Sequence, residues 1–396
     1  MIEIRHTVAK PVVKEPRMVS HVRPDPALAP VPVADGLDAL RRLSARLGAD
    51  PRRTQGAGGN TSIKDGGTLW IKASGTWLAH ALDRPIMVPV ALAPLLDACR
   101  QGKPEAEKAA GFVVAQPGTP AAALRPSIET TVHAVIPWRV VIHLHCVETL
   151  AHAVRTDARA RLAERLDGLR GVHWTLVPYI RPGLPLARAI MAARPFGERA
   201  NVHILANHGL IVSARHGGPR RKTLLERVIA PLAVTPRAPP QADLADLAAL
   251  AKGSAYRLPD DPAAHAIAMD PATLAVARGA PLYPDHVIFL GDRIDVADRG
   301  ADPDGVPGDR PPRIAAPDAP PMRVMPGRGV LLRRDGWTVG MDAMARCLAD
   351  VAARLSPTDP IRRLTATDIH ALTHWEAETY RQALNKETQN RTTRNG

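Results

Sequence analysis

RVVIHLHCV, residues 139–147, is a short apolar run rich in β-branched residues, and it reads as a buried strand that carries two imidazoles. Side chains alternate across a strand, so His143 and His145 project from one face and can grip one ion together. Cys146 then points to the other face, as a packing residue before it is a ligand. A second strand-like segment, NVHILANHGLIVSA (201–214), places His208 at an internal turn, where Gly209 permits backbone geometry that other residues resist. Between the two lies an Ala/Arg/Leu-rich stretch, 150–170, that reads as one or two helices. Strands alternating with helices make the class α/β or α+β rather than all-helical or all-β.

The same alternation continues outward. LDALRRLSARLG (37–48) sets Leu37, Leu40, Leu43 and Leu47 on one helical stripe, with Asp35 as its expected N-cap. TLWIKASG (68–75) reads as a strand closed by glycine, and ALAPLLDACRQG (91–102) as a helix. Residues 1–34 carry proline after proline without apolar periodicity and are expected to form an extended or poorly ordered arm. A linker or surface excursion is expected at 215–242, dividing a domain over 35–235 from a C-terminal α+β segment over 236–396. That segment reads as a strand at HVIFLG (286–291), a loop over 298–321, a hairpin at RGVLLRRDGWTVG (328–340), and helices at 341–355 and about 367–385.

Composition narrows the function classes. A chain of 396 residues with 45% hydrophobic content can bury one large core or two ordinary ones. Lys and Arg outnumber Asp and Glu by 52 to 39, which favours an anionic partner without saying which. Three Phe, six Trp and four Tyr are too few for a platform that stacks single-stranded bases. Cys99, Cys146 and Cys347 are too scattered for a disulfide framework, which fits a reducing compartment. The first twenty residues place charges and prolines where a secretory leader has its apolar stretch, and no run reaches membrane-spanning length. A cytoplasmic protein without a membrane partner is therefore expected, and no nucleic-acid partner is expected because the positive charge is scattered Arg with its one tight cluster at 220–222.

Three imidazoles with an open fourth position suit a catalytic divalent cation, because the open position is where a substrate oxygen is polarised. Three of 15 histidines in ordinary packing would look the same, so the neighbouring motifs carry weight. In RPSIETTVHAVI (125–136), Ser127 reads as a helix N-cap, with Glu129 in the first turn and His133 one turn further on the same face. Glu129 either favours the helix dipole or serves as a general acid/base beside the ion. GAGGNTS (56–62), echoed by KASG (72–75), is neither a Walker loop nor a dinucleotide fingerprint. It is a hairpin turn rich in turn-formers, or a phosphate cradle in which Gly58 and Gly59 expose N–H groups beside Asn60, Thr61, Ser62 and Ser74.

Taken in order, GGNTSIK, WIKASGTWL, PSIETTVHAVIPWRVVIHLH and NHGL resemble the class II aldolase/adducin family, and within it the aldolase part of bifunctional rhamnulose-phosphate aldolase/dehydrogenase proteins. The resemblance runs from about residue 36 to 215, and more weakly through LYPDHVIFLGD and THWEAETYRQAL. It implies a three-layer α/β/α sandwich with a C-terminal α+β extension, assembled as a homo-oligomer, commonly a tetramer. It also implies a divalent metal, usually Zn2+, on His143, His145 and His208, with Glu129 as acid/base and Gly59, Asn60, Ser74, Gly75 and Ser127 holding a substrate phosphate. The implied reaction is reversible retro-aldol cleavage of a small anionic ketose. Epimerisation at C4 and dehydration of a sugar phosphate share its logic, and a non-catalytic adducin-like or nucleic-acid-binding protein is the alternative from another class. No GxGxxG follows a strand after residue 216, so reduction of the aldehyde product is not expected. The proton-donating tyrosine of some family members is open among Tyr179, Tyr256, Tyr283 and Tyr380.

Overall fold

The computed structural model describes residues 33–115, 124–193, 200–215, 220–297, 316 and 318–375. The N-terminal arm, most of the 298–321 loop and the chain after 375 lie outside them. The first part runs α1 (Val33–Gly48), β1 (Asn60–Asp65), β2 (Thr68–Lys72), β3 (Met87–Ala91), α2 (Leu92–Gln101), α3 (Thr130–Val135), β4 (Val140–Leu144), α4 (Val147–Ala153) and α5 (Ala158–Leu166). It continues through β5 (Trp174–Val177), α6 (Leu184–Ala192), β6 (Val202–Leu205), β7 (Gly209–Ala214) and α7 (Arg220–Ile229). Asp35 falls inside the first turn of α1 instead of capping it, since the helix starts at Val33.

Seven strands form one sheet in the order β3-β2-β1-β4-β7-β6-β5. Every pairing is antiparallel except β5 with β6, where α6 supplies the crossover that parallel neighbours require. Alternation along the strands then makes two apolar faces. Ile142, Leu144, Ile204, Leu210 and Val212 pack under α1, α4, α5 and α7, whereas Leu69, Ile71, Val141 and Ile211 pack under α2, α3 and α6. Helices on both faces make this part a three-layer α/β/α sandwich. Within 215–242, Leu225, Val228, Ile229 and Leu232 enter the sheet's core, as their helical spacing allows, whereas the proline-rich segment after Leu232 is exposed or half-buried.

The C-terminal part comprises α8 (Leu244–Ala251), β8 (Tyr256–Arg257), α9 (Pro271–Ala277), α10 (Pro284–Leu290), β9 (Asp295–Val296), β10 (Met322–Met325), β11 (Gly329–Arg333), α11 (Val339–Ala352) and α12 (Ala366–Thr373). Its four strands are ordered β8-β11-β10-β9. HVIFLG is therefore helical, a correction with a physical cause: a short buried apolar run has no decisive period, and Pro284 at the first helical position fixes φ for a helix. The hairpin also sits earlier than expected, with β11 pairing back on β10. Beyond Asp335 and Gly336 the chain enters α11, whose N-cap Thr338 accepts from the Met341 N–H.

Helix α4 is buried at every position, because it serves two cores. Ala153 belongs to the core of the seven-stranded sheet, and Val147, Leu150 and Val154 belong to the core built by residues 264–355. His152, in the same helix, is 3% exposed and donates its Nε2–H to the Leu232 carbonyl at 3.0 Å. Burial pushes its pKa down to about 4, against the opposing pull of that carbonyl. The native state thus holds fewer protons than the unfolded chain below the ordinary histidine value near 6.5. Its contribution is full above that value and is lost as pH falls from about 6.5 to about 4, a cost of roughly 2–3 kcal/mol. Urea unfolding at pH 7 and pH 4.5 should show a steeper acid loss for the wild type than for His152→Gln, and parallel losses would refute the assignment.

Candidate metal centre

The site forms where three chain crossings meet. His143 is the fourth residue of β4, and His145 lies just past the strand's end, so the expected same-face pair straddles a strand terminus. His208 sits in the tight β6–β7 turn, beside Asn207, which takes the left-handed φ of 53°. Glu129 occupies the N-cap position of α3 and not its first turn; its side chain leaves the cap unmade. Ser127 instead accepts the Glu129 N–H at 3.2 Å in the turn that leads into the helix.

Glu129, His143, His145 and His208 are all buried, and one ligand atom from each lies within 4.8 Å of the others. Glu129 Oε2 is 2.9 Å from His143 Nδ1, and Oε1 is 3.5 Å from His208 Nε2. The first is a close approach without hydrogen-bond alignment, since Nδ1 and Nε2 of His143 have no hydrogen-bond partner among the described residues. His145 Nε2, His208 Nδ1 and Glu129 Oε1 share that condition. Buried polar atoms that converge unpaired are costly unless something binds them, and a nitrogen-rich set with one carboxylate suits a divalent ion such as zinc. The residues therefore fit a metal.

Electrostatics agree. Burial pushes the His208 pKa down to about 3, outweighing the Glu129 carboxylate, so the imidazole is neutral and able to ligate. Burial acts to raise Glu129, yet His143 draws it well below the usual carboxylate range. It is ionised, and Asn60 Nδ2 donates to its Oε2 at 2.7 Å. His133 stays outside the cluster, its Nδ1 2.8 Å from Ser62 Oγ, and Cys146 packs in the core on the far face of the sheet, as its parity requires.

The residues expected to hold phosphate divide. Asn60 is engaged by Glu129. Gly59 takes φ +71°, and a Cβ there would lie 2.8 Å from the Thr54 side chain and 2.9 Å from the His143 carbonyl, so it lets β1 meet the imidazole strand. Ser74 and Ser127 line a cavity of about 340 Å³. The two loops are zipped together, Ser74 N–H donating to the Arg125 carbonyl and Ser127 N–H to that of Lys72. Gly75, at φ +72°, follows Ser74 in this turn. The Ser74 hydroxyl is buried without a hydrogen-bond partner among the described residues. Buried Lys72 braces both turns, its Nζ donating to the carbonyls of Ala57 and Thr76 at 3.2 and 2.6 Å.

Sequence reasoning missed two neighbours. Arg125 lines the same cavity, one residue before the quoted Pro-Ser pair. Asp285, in α10, brings Oδ2 within 2.6 Å of His145 Nδ1. Among the tyrosines, Tyr283 meets Cys347 Sγ at 3.6 Å and Tyr256 is sealed in a small C-terminal core. The Tyr179 hydroxyl is buried, and Tyr380 lies outside the described residues.

Residues 40–217 match the Class II Aldolase and Adducin N-terminal domain family, and this stretch includes Glu129, His143, His145 and His208 of the candidate metal site. A curated relative, the Uncharacterized oxidoreductase YuxG of Bacillus subtilis (strain 168), is 28% identical over 205 residues, which are 49% of this chain and only 28% of that protein. Among solved structures, the N-terminal class II aldolase domain of a conserved Thermoplasma acidophilum protein is similar at 24% identity and TM-score 0.43, over 52% of this chain and 96% of that one. The L-fuculose-1-phosphate aldolase of Thermus thermophilus is similar at 15% identity and TM-score 0.33, over 50% and 92%. Among the described residues no helix is long and apolar enough to cross a membrane.

Proposed function

We propose that this protein is a metal-dependent class II aldolase that reversibly cleaves a ketose, with a phosphorylated one preferred, to a dihydroxyacetone-phosphate-like ketone and an aldehyde. The observation that carries the reading is the buried convergence of Glu129 with His143, His145 and His208. In this reading the three imidazoles would hold Zn2+, and of the residues expected at the phosphate, Ser74, Gly75 and Ser127 would take that end, while Asn60 serves Glu129 and Gly59 admits the imidazole strand. When bound there, a divalent ion would supply Lewis acidity toward negative charge on the substrate's oxygens.

The chain's own residues handle the proton. Cleavage releases the hydroxyl proton of the carbon that becomes the aldehyde, and the bonding electron pair passes to the ketone fragment as an enediolate. Glu129, ionised and oriented by Asn60, takes up that proton and returns it to the fragment's carbon, ending as it began. Its burial keeps bulk water from competing for the transfer.

The test is a retro-aldol screen of ketose 1-phosphates beside the unphosphorylated ketoses, with zinc-replete protein and coupled detection of aldehyde. Aldehyde release from a ketose phosphate is expected. A new ketose of unchanged carbon number would turn the assignment to epimerisation, and no product from any ketose would refute it.

A further inference from the structure

The metal centre does not end at the matched domain. His145 Nδ1 lies 2.6 Å from Asp285 Oδ2, a buried contact across 140 residues of sequence. The carboxylate accepts the Nδ1–H, which leaves the Nε2 lone pair directed away from Asp285, and Nε2 is the atom without a hydrogen-bond partner among the described residues. A carboxylate behind a ligating imidazole fixes the tautomer, holds the ring plane and raises the basicity of the far nitrogen. Gly58 leaves room for this contact: a Cβ there would lie 2.6 Å from Asp285 Oδ2 and 2.8 Å from His145 Nδ1. The first part of the glycine-rich turn thus packs its bare Cα against the pair.

The C-terminal part also reaches the turn that carries His208. Asn207 donates to the carbonyls of Leu282 and Arg362, both at 2.8 Å, and accepts from Arg362 Nη1 at 3.0 Å. These bonds hold the left-handed residue directly before His208. Two of the three imidazoles are therefore set from residues 282–285 and 362, outside residues 40–217.

We propose that Asp285 is a positioning residue of the metal centre, so that its ion-binding geometry is completed by the C-terminal part of the chain. The inference rests on the function proposed above, and its test separates the two. Full-length wild type, Asp285→Ala, Asp285→Asn and His143→Ala are each titrated with Co2+ alone. Affinity is read by chelator competition, geometry by the visible cobalt absorption, and folding by thermal melting. Asp285→Ala is expected to bind Co2+ about 10–100-fold more weakly with an altered absorption band. Asp285→Asn keeps an acceptor oxygen but loses the charge, and about tenfold weakening is expected. Affinity within about twofold of wild type and an unchanged band in Asp285→Ala overturn the proposal; if that variant does not fold, the same result in Asp285→Asn overturns it. If the wild type takes up no Co2+, or His143→Ala binds like wild type, the metal centre itself fails. A weakened His143→Ala beside unaffected Asp285 variants sinks only the role of Asp285.

Discussion

Replacing His143 with alanine is expected to empty the metal centre and lower turnover about a thousandfold. The imidazole is fully buried, and neither of its nitrogens has a hydrogen-bond partner among the described residues. Packing alone does not account for a polar ring held in that state. Without it the ion keeps His145, His208 and Glu129, a set with one nitrogen fewer, and affinity should fall by more than the roughly 10–100-fold typical of losing a partner that only orients a ligand. The rate follows the ion, because Lewis-acid stabilisation is worth several kcal/mol and each ~1.4 kcal/mol is tenfold. Elemental analysis after dialysis against a chelator, paired with the aldehyde assay, checks both. A variant that keeps stoichiometric metal and full turnover would remove the basis for the assignment.

Glu129→Gln separates chemistry from metal retention. The amide is isosteric, and its oxygen can still accept from Asn60 Nδ2, so the turn before α3 should persist. It cannot take up a proton at neutral pH, and the loss of general acid/base catalysis should cost about 10²–10⁴ in kcat. Three imidazoles remain, so bound metal should stay near stoichiometric while turnover collapses. Turnover within tenfold of wild type, measured on metal-replete protein, would assign the proton to another group.

Much of this site was legible in the sequence because its signals are local. HLH within an apolar run, a histidine in an Asn-x-Gly turn, and a glutamate after Pro-Ser each announce themselves within a few residues, and the structure brings all four side chains together. The strand boundaries were less legible: β4 stops at Leu144, yet His145 still reaches the cluster. Asp285 was hidden for two physical reasons. Its partner lies 140 residues away, and the adjoining HVIFLG has the composition of a buried strand, so no helical register pointed to it. Pro284 was the available signal, since proline opens a helix far more readily than it sits within a sheet. Arg125 belongs with the same class of miss: its cavity is bounded by Glu107 and Trp375, far apart in the chain, and nothing local reveals it.

Helix α4 also bears on the order in which the molecule is made. Synthesis delivers the seven-stranded sheet first, and with it one flank of α4, long before the residues that cover the other flank leave the ribosome. Val147, Leu150 and Val154 must wait for partners that begin at Ala264 and end at Leu355. During that interval the nascent chain carries an uncovered apolar strip directly after the imidazole strand, the kind of transient exposure that chaperones attend. The His145–Asp285 contact can form only once residue 285 has been made, so a fully positioned metal centre is a late event of biosynthesis, reached after most of the sequence has been translated.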